Sequence, residues 1–211
     1  MSAKSTDKKL KTKGGKSLDS PPSVDHLAEL VSKAQRGEVD AFQSLYKIYC
    51  QKISNYLFRM TGSREESEDL AQDTFIQAYK KLSSLREPQK FQSWLFRIAQ
   101  NNVFQKYRGR QPVIESIDEE ALTDWSKLQQ LTTPQMEPEA EVLSVELEAV
   151  IARAIAQLPE KYRTVFVLSA IQRISYQEIS EIVNRSLASV KSDIHRARIV
   201  VRDKVKEYMS D

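Results

Sequence analysis

The C-terminal segment 174–202 has the order of parts of a helix-turn-helix. Ser175 and Glu178 have the S-x-x-E spacing of a capping box, which predicts where a first short helix begins. A polar turn at 184–186 then interrupts the apolar spacing, and the Ser186 hydroxyl can cap a second, longer helix. The apolar stripe of that helix is accompanied by four cations, Lys191, Arg196, Arg198 and Arg202. Because the second helix of such a motif lies in the major groove, the segment indicates a DNA-binding protein.

The rest of the chain favours an all-α fold with two small helical domains. Only 5 of the 211 residues are glycine, and no run of Val, Ile or Thr alternates with period two. Residues 23–110 are predicted to form a four-helix bundle, and residues 140–211 a smaller domain that contains the helix-turn-helix at 176–195. Residues 111–139 are predicted to be a flexible linker and the lysine-rich residues 1–22 a disordered tail.

Helical periodicity places the elements within each domain. The bundle is predicted to contain helices at about 24–36, 39–60, 64–82 and 91–107, and the smaller domain helices near 140–157, 160–172, 175–183 and 187–207. On the third helix, Ile76 and Tyr79 are expected to face inward, and the lone Cys50 is expected to be a buried structural thiol.

Charge is distributed in blocks. The N-terminal tail, the bundle and the C-terminal domain each carry an excess of cations, whereas residues 111–148 carry ten acidic residues and one lysine. A basic block suits a polyanion and an acidic connector repels it. The connector is therefore expected to lie away from duplex DNA.

Several function classes are disfavoured by what the sequence lacks. No apolar run approaches the roughly 18 residues of a membrane span, and no secretory signal pattern is present, so a cytoplasmic protein is expected. There is no phosphate-binding glycine loop, no H-E-x-x-H and no G-x-S-x-G, and the two histidines lie far apart. We therefore expect no enzyme, no metal and no cofactor.

Two stretches of the bundle combine side chains in ways that suggest binding. Residues 91–110 interleave aromatic residues with cations, the combination that holds single-stranded nucleic acid. Packing inside the bundle is the favoured interpretation for Trp94 and Phe96, and nucleic-acid contact for the preceding loop and the polar face around Asn101. Residues 68–81 present an acidic, amide-bearing face that suits a basic protein partner.

Five motifs in one order resemble the bacterial RNA polymerase sigma factors of the sigma-70 family, and most closely the extracytoplasmic-function (ECF) group. They are D-L-x-Q-D-T-F at 69–75, F-x-x-W-L-x-x-I-A-x-N at 91–101, L-P-E-x-Y-R at 158–163, S-Y-x-E-I-S at 175–180 and S-V-K-S-x-I-H-R-A-R at 189–198. The resemblance implies the family's two domains, region 2 and region 4, joined by a linker. It also implies a subunit that directs promoter-specific transcription initiation.

The resemblance assigns roles to three sets of residues. Contact with the β′ coiled coil of core RNA polymerase falls to Asp69, Gln72, Asp73 and Phe75. Melting and capture of the −10 promoter element fall to Arg86, Lys90, Phe91, Arg97, Asn101 and Arg108. Reading of the −35 element falls to Ser189, Lys191, Ser192, His195, Arg196, Arg198 and Arg202. Region 4 is also implied to dock on the β flap, and an anti-sigma factor is a further partner that the resemblance admits without naming it.

Two positions depart from the family pattern, namely Gln105 and Asp193, where aspartate and arginine are usual. An aspartate on a recognition helix repels phosphate and could accept a hydrogen bond from a cytosine amine. A solvated position turned away from the groove is the equally weighted alternative. The usual −35 preference is therefore not assumed.

Two other functions remain compatible with the residues. One is an activator or repressor that uses the same helix-turn-helix and an N-terminal sensor bundle. The other is an inactive decoy that binds polymerase without starting transcription. A regulator that binds only duplex DNA needs no aromatic, basic loop at 86–91, which distinguishes it from a sigma factor.

Overall fold

The computed structural model describes residues 23–108 and 138–210, with side chains in the latter part from Glu146 onward. Its N-terminal module comprises α1 (Val24–Gln35), α2 (Val39–Thr61), α3 (Arg64–Lys81) and α4 (Phe91–Lys106), with 3-10 turns at Leu82–Ser84 and Pro88–Lys90. Its C-terminal module comprises α5 (Pro138–Ala156), α6 (Glu160–Phe166), a π-helical turn at Val167–Ile171, α7 (Tyr176–Val183) and α8 (Leu187–Met209). No strand occurs in these described ranges, so the predicted all-α fold is confirmed.

Side-chain caps begin the helices where the sequence predicts them. The Ser23 hydroxyl accepts a hydrogen bond from the His26 amide at the start of α1. At α7 the box is reciprocal: the Ser175 hydroxyl accepts from the Glu178 amide at 3.3 Å, and the Glu178 carboxylate accepts from the Ser175 amide at 3.2 Å. Such caps satisfy amides that have no partner within the helix. Capping therefore fixes the start of α7, the first helix of the helix-turn-helix.

A buried polar network joins α3 to α4 within the N-terminal core. Asn102, 5% exposed, donates a hydrogen bond from Nδ2 to Thr74 Oγ1 at 3.1 Å and accepts one from Gln77 Nε2 at 2.8 Å. Around it lie large side chains that are almost fully buried, including Tyr56 and Phe96. The network matters for function because α3 and α4 carry two of the predicted binding faces, and it holds the two helices in one register.

The two modules pack against each other. Helix α7 lies against α4, and α5 and α6 lie against α2, so the apolar residues of both modules form one continuous core. The buried Arg163 donates to Met60 O at 3.2 Å across the contact, and within its own module to Ala156 O and Leu158 O. All three acceptors lie at helix C-termini, where carbonyls lack intrahelical partners and a cation is favourable.

Several boundary and burial expectations need correction. Helix α5 begins at Pro138, inside the predicted linker, because proline fits the first position of a helix. The helix predicted over 160–172 is α-helical only to Phe166 and ends in the π turn. The tail at 1–22 and most of the predicted linker lie outside the described residues.

Ile76 and Tyr79 are not inward, since they are 43% and 54% exposed. The buried residues of α3 are Ser67, Leu70, Ala71, Thr74, Phe75 and Ala78. Ile76 and Tyr79 line the groove between α3 and α2, where the ring of Tyr79 meets that of Phe42 edge-on at 5.0 Å. Cys50 faces the same region and is only partly buried.

Candidate nucleic-acid interface

Helix α8 exposes one face and buries the other. Its buried stripe, Val190, Ile194, Ala197 and Val201, anchors it to the C-terminal module. The opposite side exposes five residues predicted to contact DNA, namely Lys191, Ser192, His195, Arg198 and Arg202. With 3.6 residues per turn these positions share one side of the helix, so they can enter a groove together. That side carries three permanent cations.

Two other predicted −35 residues are already engaged inside the module. Arg196 donates from Nη1 to the Tyr162 hydroxyl at 3.3 Å, and this hydrogen bond raises the pKa of the guanidinium. Ser189 is partly buried, and its hydroxyl accepts from Arg185 Nη2 at 2.6 Å. Arg196 nevertheless remains exposed beside this contact, whereas Ser189 is partly buried.

Asp193 is not the solvated residue that one of the two interpretations expected. It is 5% exposed, so it is not solvated, and its carboxylate lies 2.5 Å from Arg185 Nη2 of the turn. The helical repeat turns it about 100° away from Ser192 on the exposed face. Sequence periodicity alone could not show this, because the burial of Asp193 depends on how the turn folds back over α8.

Helix α4 presents a second cationic stripe, which contains an aromatic residue that the sequence analysis left out of its site. Arg97 and Asn101 are exposed at helical spacing on α4, and Arg108 is exposed in the turn that follows the end of the helix at Lys106. Phe104 lies between them on the same side and is 54% exposed. The signal was present in the spacing, because Phe104 lies seven residues after Arg97 and four before Arg108.

Phe91 lies in the core rather than beside the loop. It is 2% exposed, and its ring packs against those of Tyr49 at 5.4 Å and Trp94 at 5.9 Å. Both loop cations, Arg86 and Lys90, are exposed, and Lys90 also approaches Glu87 at 3.6 Å and Glu181 of α7 at 3.5 Å. The structure thus assigns the aromatic position on this surface to Phe104.

A third face lies on α3. Asp69, Gln72 and Asp73 are exposed together, whereas Phe75 is 7% exposed and meets the Tyr46 ring edge-on at 4.7 Å. Beside these polar residues an apolar groove of about 580 Å³ runs between α2 and α3, lined among others by Phe42, Tyr46, Phe75, Ile76 and Tyr79. An apolar groove next to an acidic rim is the composition of a protein-binding surface.

Within the described ranges, no group of His, Cys, Asp or Glu could hold a metal ion. No helix there is long and apolar enough to cross a membrane.

Two family models match this chain, one on each module. The model of Sigma-70 region 2 matches residues 45–113, and that of Sigma-70 region 4 matches residues 148–199. ECF RNA polymerase sigma factor SigW of Bacillus subtilis is 38% identical over 185 residues, which cover 86% of this chain and 97% of that relative. The chain belongs to the ECF sigma factors of the sigma-70 family.

A second relative agrees with this assignment, and two solved structures share the fold. The ECF RNA polymerase sigma-E factor of Haemophilus influenzae is 35% identical over 185 residues, which cover 85% of this chain and 95% of that protein. CnrH, solved in complex with the cytosolic domain of CnrY, shares the fold at a TM-score of 0.62 and 23% identity, covering 86% of this chain and 97% of CnrH. RpoE of Bartonella quintana, solved with the anti-sigma factor NepR, has a TM-score of 0.58 at 19% identity, covering 80% and 98% of the two chains.

Family membership argues against the regulator with an N-terminal sensor domain. Both modules match sigma regions, so the N-terminal bundle is region 2 rather than a sensor domain. As an ECF sigma factor, the protein directs RNA polymerase to promoters for transcription initiation. Sigma factors are generally non-enzymatic subunits that recognise DNA.

Proposed function

We propose that this ECF sigma factor uses three separate faces: α3 for core RNA polymerase, α4 for the melted −10 element and α8 for the −35 element. The observation that supports this division most strongly is the pair of exposed cationic faces, one on each module. Two contacts on one DNA molecule reinforce each other, because the second contact becomes intramolecular once the first has formed.

On α8, phosphate contact and base reading fall to different side chains. Lys191, Arg198 and Arg202 can neutralise phosphates and set the position of the helix, which carries no sequence information by itself. Ser192 and His195 lie between them on the exposed face and can donate to or accept from base edges. The −35 preference is therefore proposed to come mainly from these two residues.

On α4, Phe104 is proposed to stack on an unpaired base of the melted −10 element. Single-stranded nucleic acid is held where an aromatic face lies beside cations that follow the backbone. Arg97 lies on the same side of α4 as Phe104, and Arg108 is exposed in the turn after the helix ends. Asn101 lies on the same stripe and offers both donors and acceptors to a base edge. Arg86 extends the cationic surface from the loop before α4.

On α3, Asp69, Gln72 and Asp73 are proposed to contact the β′ coiled coil, with the neighbouring apolar groove accepting an apolar side chain of that partner. Phe75 supports this face from below because it is buried. Region 4 is proposed to dock on the β flap, and an anti-sigma factor is proposed as the partner that restrains the protein. The protein is proposed to act without catalysis of its own, in the cytoplasm.

Run-off transcription tests the function directly. The purified full chain is added to core RNA polymerase on fragments of genomic DNA, with core polymerase alone as the control. We expect transcripts with discrete start sites that core polymerase does not make. If the chain binds core polymerase and yields no specific transcript on any fragment, it is a decoy rather than an active sigma factor.

A further inference from the structure

The turn of the helix-turn-helix is tied to the recognition helix by a small polar cluster. Arg185 Nη2 lies 2.5 Å from the Asp193 carboxylate and donates to the Ser189 hydroxyl at 2.6 Å. The backbone amide of Arg185 donates to Ser180 O of α7 at 3.0 Å. Arg185 therefore links the end of α7, through its backbone amide, to the first two turns of α8, through its guanidinium.

The local backbone makes this link possible. Asn184 caps α7 in the left-handed conformation, with φ 51° and ψ 51°, and so reverses the chain tightly before α8 begins. Arg185 then lies over the flank of α8 on which Ser189 and Asp193 follow one another one turn apart. Asp193 is nearly fully buried there, and a buried carboxylate requires a cation or donors.

We propose that Asp193 is a positioning residue for promoter recognition: through Arg185 it fixes the orientation of α8 relative to α7. The inference rests on the proposed reading of the −35 element by α8. It implies that Asp193 touches no base, because contact would require the nearly buried Asp193 carboxylate to leave its cation, Arg185. It also implies that the Ser189 hydroxyl, already bonded to Arg185, contributes little to base reading.

A positioning role and a direct contact differ in what they do to sequence preference. Loss of one base contact relaxes preference at one base pair. A change in the angle of α8 moves Ser192 and His195 together, so it relaxes preference at neighbouring base pairs at once. Discrimination, the ratio of transcription from two promoters by the same preparation, does not change when only a fraction of the protein is folded, because both promoters lose equally.

The experiment compares Asp193→Asn, Arg185→Gln and the double variant, each as full chain with core polymerase. The wild-type holoenzyme first selects a promoter from duplexes that have a fixed −10 segment and a randomised upstream segment. The selected promoter and its single-base-pair variants then serve as templates. Glu207→Gln is the matched control, because it removes one carboxylate charge from an exposed pair with Lys204 on the same helix.

Each single variant is expected to lose discrimination by roughly five-fold or more at two or more adjacent base pairs. The double variant is expected to lose no more discrimination than either single variant. The reason is that a neutral pair can still hydrogen-bond and the two residues act as a unit. Glu207→Gln is expected to discriminate like the wild type.

Two results would overturn the inference while leaving the proposed function intact. The first is unchanged discrimination in Asp193→Asn. The second is a change confined to one base pair in Asp193→Asn, with none in Arg185→Gln, which would make Asp193 a base contact. If instead the wild type selects no upstream sequence, the −35 reading itself fails, and the inference with it.

Discussion

At the scale of single residues, exposure decided the roles that residue type had left open. Phe91 and Phe104 belong to the same helix and the same basic segment, yet the structure buries the first and exposes the second. An aromatic side chain can stack on a base only from an accessible position. The cationic stripe of α4 therefore has Phe104 as its aromatic member.

Phe104→Ala is expected to weaken binding of a single-stranded −10 DNA by the holoenzyme roughly ten-fold or more, because stacking on an aromatic side chain contributes about 1–3 kcal/mol per base. Phe104→Trp should retain binding. Val39→Ala, which truncates an exposed apolar residue of α2, is the control and should behave as wild type. Fluorescence anisotropy with a labelled strand measures the affinity, and equal affinity of Phe104→Ala and wild type would remove Phe104 from the site.

We expect ionisation of the buried Tyr49 to destabilise the protein at alkaline pH. Burial, with a smaller effect of the Glu178 carboxylate, raises the pKa of Tyr49 from 10.0 to about 12. The folded state thus favours the protonated phenol, and its stabilising contribution is complete below pH 10 and lost as the pH rises toward 12. The loss amounts to roughly 2–3 kcal/mol in the free energy of unfolding.

Urea unfolding between pH 8 and pH 11 checks this expectation. Tyr49→Phe should show a shallower decline of stability above pH 10 than the wild type, because it has no phenol to ionise. Tyr46→Phe, on the exposed side of the same helix, should leave the decline unchanged. An equal decline in all three proteins would contradict the assignment.

At the scale of elements, local caps determine where helices begin and end. Packing of the core determines which face of each helix is exposed to solvent. Helix α3 illustrates both, since it begins at the Ser63 cap and buries one side against α2 and α4. What remains outside is an acidic, amide-bearing face next to an apolar groove.

Gln72→Ala combined with Asp73→Ala is expected to weaken binding to core polymerase without lowering the midpoint of urea unfolding, because both side chains are exposed. Asp40→Ala combined with Gln43→Ala removes the same two residue types from the exposed side of α2 and is the matched control. Competition against a labelled wild-type chain measures core affinity. If both double variants compete as well as the wild type, polymerase binds elsewhere.

The chain reversal at Asn184 ends α7 and joins it to α8. For a residue with a Cβ atom, the left-handed conformation costs about 1–2 kcal/mol, a cost that asparagine and glycine tolerate better. Asn184→Ala should therefore destabilise the C-terminal module by about 1 kcal/mol, whereas Asn184→Gly should be close to neutral. Thermal unfolding of the two variants beside the wild type gives the order, and equal stability of the alanine and glycine variants would argue against the strain.

At the scale of the whole molecule, the packing of the two modules restricts what one chain can reach. The names of the two promoter elements place them about 25 base pairs apart, or roughly 85 Å along duplex DNA. Helix α7, which immediately precedes the recognition helix, is in direct contact with α4, with Lys90 and Glu181 3.5 Å apart. The modules must therefore separate before both elements are bound by one chain.

Energy transfer between dyes measures this separation. Labels at Lys47→Cys and Lys204→Cys, in a Cys50→Ser background, are expected to transfer efficiently in the free chain and weakly in the complex with core polymerase and promoter DNA. A pair at Lys47→Cys and Glu65→Cys, both in the N-terminal module, should give the same efficiency in both states. Unchanged transfer in the first pair would mean that the packed arrangement persists on the promoter.

The sequence by itself determined the helices, their caps, the two modules and the family. Those features depend on interactions within about four residues or on motifs of fixed spacing, which are visible along the chain, as with Ser175 and Glu178. Motifs of fixed spacing also predicted most of the residues expected on the three binding faces.

Only the tertiary structure decided which of those side chains are free to act. Phe91 is covered by Tyr49 of another helix, Lys90 is paired with the other module, and Asp193 is held by the turn that folds over it. Each of these outcomes depends on residues distant in sequence or on the direction of a turn. Burial and pairing are properties of the packed fold. Helical periodicity carries no information about which distant residue will pack against a given side chain.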